Sequence, residues 1–288
     1  MPDGFASAAA LLPQELANMA LALPAALRRR TEEFRLRLGQ RPTLLLPEGE
    51  RPLAEAPVDR QTLQTVLEKA TRASLHAHGD ALRRGYLAAP GGVRVGVCGT
   101  AVTEQGIRTL REFSSLSLRV PRELPGVGAA AAEAVLERSV LIVSPPGGGK
   151  TSFLRELVRL ASTRGRRVSL CDERGELAGV WEGRPQFALG PCTDVLSGAD
   201  KAEAAFVLLR AMNPEIVAMD ELASPEDAQA VEALRGCGVR VFATAHGDGL
   251  ASLRRRPALR RLLEAGIFES CVLISGKGEG RAYAVETL

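Results

Sequence analysis

Residues 144–151 read Ser-Pro-Pro-Gly-Gly-Gly-Lys-Thr, and this run carries the most specific chemistry in the chain. An apolar strand candidate, Val140–Val143, precedes it, and a helical run, Ser152–Ala161, follows it. A glycine-rich loop that opens a helix aims successive backbone N–H groups at one point. The helix N-terminus adds partial positive charge, so the place suits phosphate. Ser144, Pro145, Pro146, Gly147, Gly148 and Gly149 would form the cradle, closed by Lys150, Thr151 and Ser152. Lys150 would reach the β- and γ-phosphates of a nucleotide, and the Thr151 hydroxyl would ligate Mg²⁺. ATP and Mg²⁺ are therefore the expected ligands. One residue departs from the pattern: Ser144 stands where glycine is usual.

Three further groups could serve the same chemistry. Ile216-Val-Ala-Met is a buried-strand pattern that ends in Asp220-Glu221, about seventy residues after the loop. Asp220 would hold Mg²⁺ through water, and Glu221 would polarise the attacking water as general base. Thr244-Ala-His246-Gly follows the strand candidate Val239–Ala243, and Thr244 or His246 could sense the γ-phosphate. Cys171-Asp-Glu-Arg174 ends another strand candidate, where an acid can position water or metal. Taken singly, each has a plainer reading: a strand-to-loop exit, a packed histidine, a charged loop.

Composition narrows the class. The chain has 288 residues, 45% hydrophobic and 25% charged, enough for one or two globular cores. A net charge of +3 and 4% aromatic residues favour neither a phosphate-backbone binder nor a base-stacking platform. Cys98, Cys171, Cys192, Cys237 and Cys271 are odd in number and scattered, which fits a reducing compartment better than a disulfide framework. His76 and His78 lack a Cys or acidic partner at ligand spacing, so a metal there is not expected. No apolar run reaches the ~18–20 residues that a bilayer requires, and the start lacks a basic signal-peptide region, so a cytoplasmic location is expected.

The elements that must position these groups change character along the chain. Residues 12–30 read as two short helices broken near Pro24 and closed by Arg28-Arg-Arg30. Phe34-Arg-Leu-Arg-Leu38 alternates as a half-buried strand does, and 43–46 reads as a second strand. Residues 60–84 look helical, 85–97 form a hairpin turned at Pro90-Gly-Gly92, and 115–120 reads as a strand. From 139 onward, apolar strands at 140–143, 168–171, 216–219, 239–243 and 271–275 alternate with helical stretches. That pattern predicts an α/β fold with a mostly parallel sheet, preceded by a smaller α+β domain. The expected boundary places 1–122 in the first domain and 123–288 in the second, with the turn-rich stretch 121–126 as the joint.

Taken together, the motifs resemble the stage III sporulation protein AA family over nearly the whole length. The front half contributes Phe34-Arg-Leu-Arg-Leu-Gly-Gln-Arg-Pro42, Gly91-Gly-Val-Arg-Val-Gly-Val-Cys-Gly99 and Arg111-Glu-Phe-Ser-Ser-Leu-Ser-Leu-Arg119. The back half contributes Asp172-Glu-Arg174, Thr193-Asp-Val-Leu196, Leu209-Arg-Ala-Met-Asn-Pro214 and the two later motifs. That family is similar to the hexameric motor ATPases of type II and type IV secretion, which join an N-terminal domain to a RecA-like ATPase domain. The resemblance implies that Asp172 and Glu173 form an acidic box, that Asp220 and Glu221 form the Walker B element, and that His246 is the conserved-box histidine. It also implies a homohexamer on the mother-cell side of a membrane-spanning channel between mother cell and forespore, peripheral to the membrane through its partners.

Ring ATPases complete each site with an arginine from the next subunit, because charge developing on the γ-phosphate needs a counterion. Arg94, Arg119, Arg122 and Arg210 are candidates, and the resemblance favours Arg119 and Arg210. A surface salt bridge is the plainer reading of each. Arg254-Arg-Arg256 with Arg260 and Arg261 reads as a solvated or subunit-facing helix surface. Three other functions fit parts of the pattern: a nucleic-acid-associated ATPase, a small-molecule kinase, and a nucleotide-gated scaffold with little hydrolysis. Weak net charge and the end of the chain soon after the 271–275 strand speak against nucleic acid. The Asp220-Glu221 pair speaks against a kinase, which must exclude water.

Overall fold

Alternation of apolar and charged residues in Phe34-Arg-Leu-Arg produces strand β1 (Glu33–Arg37), with Phe34 and Leu36 fully buried and their neighbours part-exposed. This is the signature of a sheet covered on one face. The computed structural model describes residues 3–74, 79–104, 106–276 and 278–288. His76 and His78 lie outside the described residues. The chain divides into two units, Met1–Glu123 with Gly179–Gln186, and Leu124–Ala178 with Phe187–Leu288. The short stretch 179–186 thus leaves the second unit's chain path, joins the first, and returns.

The first unit opens with three helices, α1 (Gly4–Ala10), α2 (Gln14–Leu21) and α3 (Ala25–Arg30). The sequence pattern misses α1 because its residues are mostly alanine, with too few large apolar side chains to mark a face. Strands β2 (Thr43–Leu46) and β3 (Gly49–Pro52) follow β1, then helices α4 (Arg60–Thr71) and α5 (Gly79–Arg83). Asp59 caps α4 by accepting from Thr62 N at 2.7 Å. Strands β4 (Tyr86–Ala89), β5 (Val93–Thr103) and β6 (Ile107–Arg119) complete an antiparallel sheet of order β3-β2-β1-β6-β5-β4. Phe5, Leu12, Leu63 and Val66 of the helical layer join Phe34, Leu44, Leu87, Val95 and Leu118 of the sheet in one core.

The β5–β6 hairpin extends well beyond the short strand expected at 115–120. Its distal half is largely exposed and carries no core-facing alternation, so nothing in the residue pattern marks it. The β5–β6 register shifts between Cys98 and Thr100. Gly99 is required there, because a Cβ would lie 2.5 Å from Arg111 O. In the returning stretch, Trp181 Nε1 donates to Ala70 O at 3.3 Å, and the Arg72 guanidinium stacks 4.6 Å from the indole centroid.

The second unit begins with α6 (Ala129–Val135) and then alternates strand and helix: β7 (Val140–Ser144), α7 (Lys150–Thr163), β8 (Val168–Asp172), β9 (Thr193–Ser197), α8 (Lys201–Met212), β10 (Ile216–Met219), α9 (Pro225–Gly236) and β11 (Arg240–His246). Short helices α10 (Leu250–Leu253) and α11 (Pro257–Glu264) lead to the terminal hairpin β12 (Ser270–Ser275) and β13 (Ala282–Thr287). The sheet order is β13-β12-β7-β11-β10-β8-β9, parallel throughout except for β13. Every residue of β7, β8 and β10 is buried, as strands covered on both faces must be. Local sequence sets the helix starts: Asp200 caps α8 through Ala202 N at 2.9 Å, and Ser224 with Asp227 forms a capping box for α9, whose first residue is Pro225. Strand order makes this a RecA-like core, in which β11 stands between the strand that feeds the glycine-rich loop and the strand that carries the two acids. Among the described residues no helix is long and apolar enough to cross a membrane.

Candidate nucleotide-binding site

Because β7, β8, β10 and β11 run parallel, their carboxyl ends share one rim, where ligands of open α/β sheets bind. Register aligns His246 with Ser144, and Met219 with both Ala243 and Cys171. The loop after β7, the acids after β10, the end of β11 and the acids after β8 therefore converge.

Lys150 opens α7 and is 5% exposed. Its ammonium donates to Ser144 O at 3.0 Å, Pro145 O at 3.2 Å and His246 Nδ1 at 2.8 Å. Burial lowers its pKa, opposed by the charges of Asp220 and Glu221. A phosphate group at the loop would add to that opposition and favour the charged form. Thr151 Oγ1 donates to Asp220 Oδ2 at 2.9 Å. A hydroxyl beside a carboxylate is a hard-oxygen donor set that suits Mg²⁺ held jointly with substrate phosphates. Thr151 and Asp220 are the residues that would hold that ion, and its charge would neutralise phosphate oxygens. Among the described residues no cluster of three or more His, Cys, Asp or Glu forms a separate metal cage.

Thr244 joins the two acids. Its hydroxyl donates to Asp220 Oδ1 at 2.5 Å and accepts from Glu221 N at 2.8 Å. Glu221 adopts φ +56°, a left-handed conformation uncommon for a residue with a side chain. Its Oε1 lies 3.3 Å from His246 Nε2, and its Oε2 accepts from Arg174 at 2.9 Å. The Lys150 ammonium faces Nδ1, which leaves Nε2 turned toward Glu221. His246 therefore links the loop lysine to the carboxylate expected to act as base.

The acids after β8 divide into two roles. Asp172 is buried and accepts from Leu177 N at 3.0 Å and Ala178 N at 2.9 Å, so its carboxylate fastens the following turn. Burial raises its pKa despite these bonds. Glu173 faces the cleft it shares with Asp220 and Glu221 and accepts from Lys201 at 3.0 Å. Lys201 also lies 3.7 Å from Asp227. Burial pulls the Lys201 pKa down, but the Glu173 bond and the Asp227 charge carry it above its ordinary value. Nothing in the sequence pattern singles out Lys201, which reads as an ordinary first-turn residue. Arg174 appears there only as part of a motif. Cys171 lines the same cleft, but burial pushes its thiol up to about 12, so it is no nucleophile near neutral pH.

The favoured arginines stand on α8 and β6. Arg210 is exposed on α8 and donates to Phe206 O of its own helix at 3.2 Å. Arg119 ends β6 in the first unit, in register with Arg94 of β5 and Glu33 of β1.

Ser144 takes the place of the usual glycine without opening the turn. It is 1% exposed, and its hydroxyl donates to Pro145 O at 2.9 Å. The space it fills falls on Gly148, where a Cβ would sit 2.3 Å from Ser144 Oγ and 2.7 Å from Ser144 Cβ. Gly148→Ala is therefore expected to weaken nucleotide binding at least tenfold, or about 1.4 kcal/mol. The double change Ser144→Gly/Gly148→Ala should recover part of that loss. Titration of a fluorescent nucleotide into wild type, Ser144→Gly, Gly148→Ala and the double variant measures the coupling. Equal affinity of Gly148→Ala and the double variant would show that Ser144 does not impose the glycine.

The sporulation stage III protein AA family model matches residues 15–285. Stage III sporulation protein AA of Bacillus subtilis (strain 168) is 32% identical over 282 residues, covering 94% of this chain and 92% of that protein. An uncharacterised ycf45 protein of Cyanidium caldarium is 31% identical over 163 residues, covering 55% of this chain and 48% of its own. Among solved structures, the Yersinia pseudotuberculosis ATPase DotB superposes with a TM-score of 0.60 at 15% identity, over 96% of this chain and 79% of that one. The pilus retraction motor PilT with bound ADP superposes with a TM-score of 0.57 at 14% identity, over 90% and 79%. At such identities the structural likeness establishes a shared fold. The family match spans nearly the entire length, and the chain belongs to the sporulation stage III protein AA family.

Proposed function

We propose that this protein is a Mg²⁺-dependent ATPase that works as an oligomeric motor at the sporulation channel between mother cell and forespore. The observation that carries the reading is the convergence on one rim of Lys150, the Thr151–Asp220 pair and Glu221 beside His246. In that mechanism the loop amides and Lys150 would hold the phosphates, and Thr151 and Asp220 would hold a Mg²⁺ ion that neutralises phosphate charge. Glu221 takes a proton from the attacking water, and His246 orients the Glu221 carboxylate and reads the terminal phosphate through Lys150. The bound ADP of PilT, on the same fold, supports the nucleotide assignment. Family membership supports the sporulation setting, and with it a mother-cell, membrane-peripheral location through partners.

Both carboxylate oxygens of Glu221 are engaged, by Arg174 and His246. Hydrolysis by this mechanism requires Glu221 to turn toward water, so slow basal turnover accelerated by assembly is the expected behaviour. Register opposes Arg119 to Arg94, a like-charge pair that destabilises a sheet unless an anion or acid compensates. Glu33 of β1 opposes Arg119 from the other side and is such an acid, so Arg119 is offered to a neighbouring subunit's phosphates on the family resemblance. Turnover per chain is expected to rise severalfold as protein concentration crosses the assembly range, with hexamers in light scattering in the presence of ATP. Constant turnover per chain from a strict monomer would sink the ring mechanism while leaving the ATPase assignment intact.

A further inference from the structure

Arg281 directly precedes β13 in the terminal hairpin. Its guanidinium lies against the phosphate loop: a Cβ placed on Gly149 would be 2.7 Å from Arg281 Cζ, 2.9 Å from Nε and 3.0 Å from Nη1. Gly149 has φ +101° and is the N-cap of α7, with no side-chain cap and no acidic residue in the first turn. Arg281 Nε is buried and has no hydrogen-bond partner among the described residues. The two acids nearest Lys150 are already engaged, Asp220 by Thr151 and Thr244, and Glu221 by Arg174 and His246.

Elementary electrostatics makes this an unfavourable place for a second cation. Partial positive charge gathers at the N-terminus of α7, and Lys150 adds a full one. A buried guanidinium N–H without an acceptor adds a desolvation cost. The hairpin nevertheless holds Arg281 there. Gly276 must be glycine, because a Cβ would lie 2.3 Å from Gly280 O. Two residues further along the strand, Tyr283 stacks on Phe153 of α7 at 5.2 Å between centroids and 29° between planes. Gly128 gives that pair room, since a Cβ there would meet both rings within 2.9 Å. Helix α7 and β13 are thus pinned together one turn from the loop.

We propose that Arg281 is a nucleotide-binding residue, a second cation that donates to the phosphate chain of a nucleoside di- or triphosphate held in the loop. The proposal rests on the nucleotide reading above. A polyanion at Gly149–Lys150 turns the repulsion among α7, Lys150 and Arg281 into attraction and supplies the acceptor that Nε lacks. The contact belongs to binding in the ground state rather than to the hydrolytic step, because phosphate is present in substrate and product alike.

The test compares wild type, Arg281→Ala and Arg281→Lys by three measurements: Kd for MgADP and MgATP by calorimetry, kcat and KM for hydrolysis, and Tm without nucleotide. Arg281→Ala is expected to raise both Kd values about 10- to 100-fold, the range of a charge-assisted bond. KM should rise alongside, kcat should change less than about threefold, and Arg281→Lys should recover part of the affinity. Tm without nucleotide should stay level or rise, because removing Arg281 relieves repulsion. Unchanged Kd with a lowered Tm would overturn the proposal and make Arg281 a packing residue. Wild type that binds neither nucleotide would overturn the site assignment as well, so the two failures are distinguishable.

Discussion

Lys150→Ala is expected to remove the stabilisation that MgATP confers and to abolish turnover. Ligand at 100 times its Kd adds about 2.7 kcal/mol to the folded state. In a domain of this size that is a Tm rise of about 5–10 °C, at ~2–4 °C per kcal/mol. The variant should show almost none of it. Loss of a preorganised cation at developing phosphate charge costs about 10²–10³-fold in rate, and loss of ground-state binding compounds that cost. Without nucleotide the variant should melt close to wild type. Burial disfavours the Lys150 charge, which offsets the loss of its bonds to Ser144, Pro145 and His246. Differential scanning fluorimetry with and without MgATP, beside a phosphate-release assay, separates these effects. A variant that retains both the ATP-dependent shift and turnover would refute the loop as the nucleotide site.

Glu221→Gln should separate binding from chemistry. Glutamine is nearly isosteric and can still accept a bond from Arg174 or His246, so affinity for MgATP should stay within severalfold of wild type. A neutral amide cannot take the proton from water, and general-base loss lowers turnover by about 10²–10⁴-fold. The expected product is a long-lived ATP complex, measured as nucleotide that survives gel filtration unhydrolysed. Turnover within about threefold of wild type would exclude Glu221 as base. Undiminished transfer of phosphate to a small-molecule acceptor would instead favour a kinase, whose chemistry needs no activated water. Thr244 Oγ1 holds both Asp220 Oδ1 and the Glu221 amide, so the backbone that presents the base is anchored independently of its carboxylate.

Local chemistry in the chain is sufficient to announce much of this site. A strand, a glycine-rich turn and a helix in immediate succession make an anion cradle, and every residue of it is contiguous from Ser144 to Ser152. Asp220 and Glu221 are legible only in the company of that loop, because an apolar run that ends in two acids also reads as a plain strand-to-loop exit. The parallel core was readable for the same reason: β7, β8 and β10 are buried on both faces and contain almost nothing polar. Strands β9 and β13, and the distal half of the β5–β6 hairpin, are part-exposed, so hydrophobic periodicity passes over them.

Strand order is what the residues alone leave open, since each strand's pattern reports its burial and not its neighbours. Only the tertiary structure inserts β11 between β7 and β10, and that insertion places Thr244 and His246 between the loop lysine and the two acids. The same holds for Lys201 on Glu173, Arg174 on Glu221 and Arg281 against Gly149, pairs separated by 28, 47 and 132 positions. Such long-range pairings carry no periodic or motif signal. By itself the sequence marked Ser144–Thr151 as a loop suited to phosphate and set acids at the ends of apolar strand patterns. The fold decided which cations and hydroxyls orient those acids, because only chain closure brings side chains so far apart in sequence within hydrogen-bonding distance.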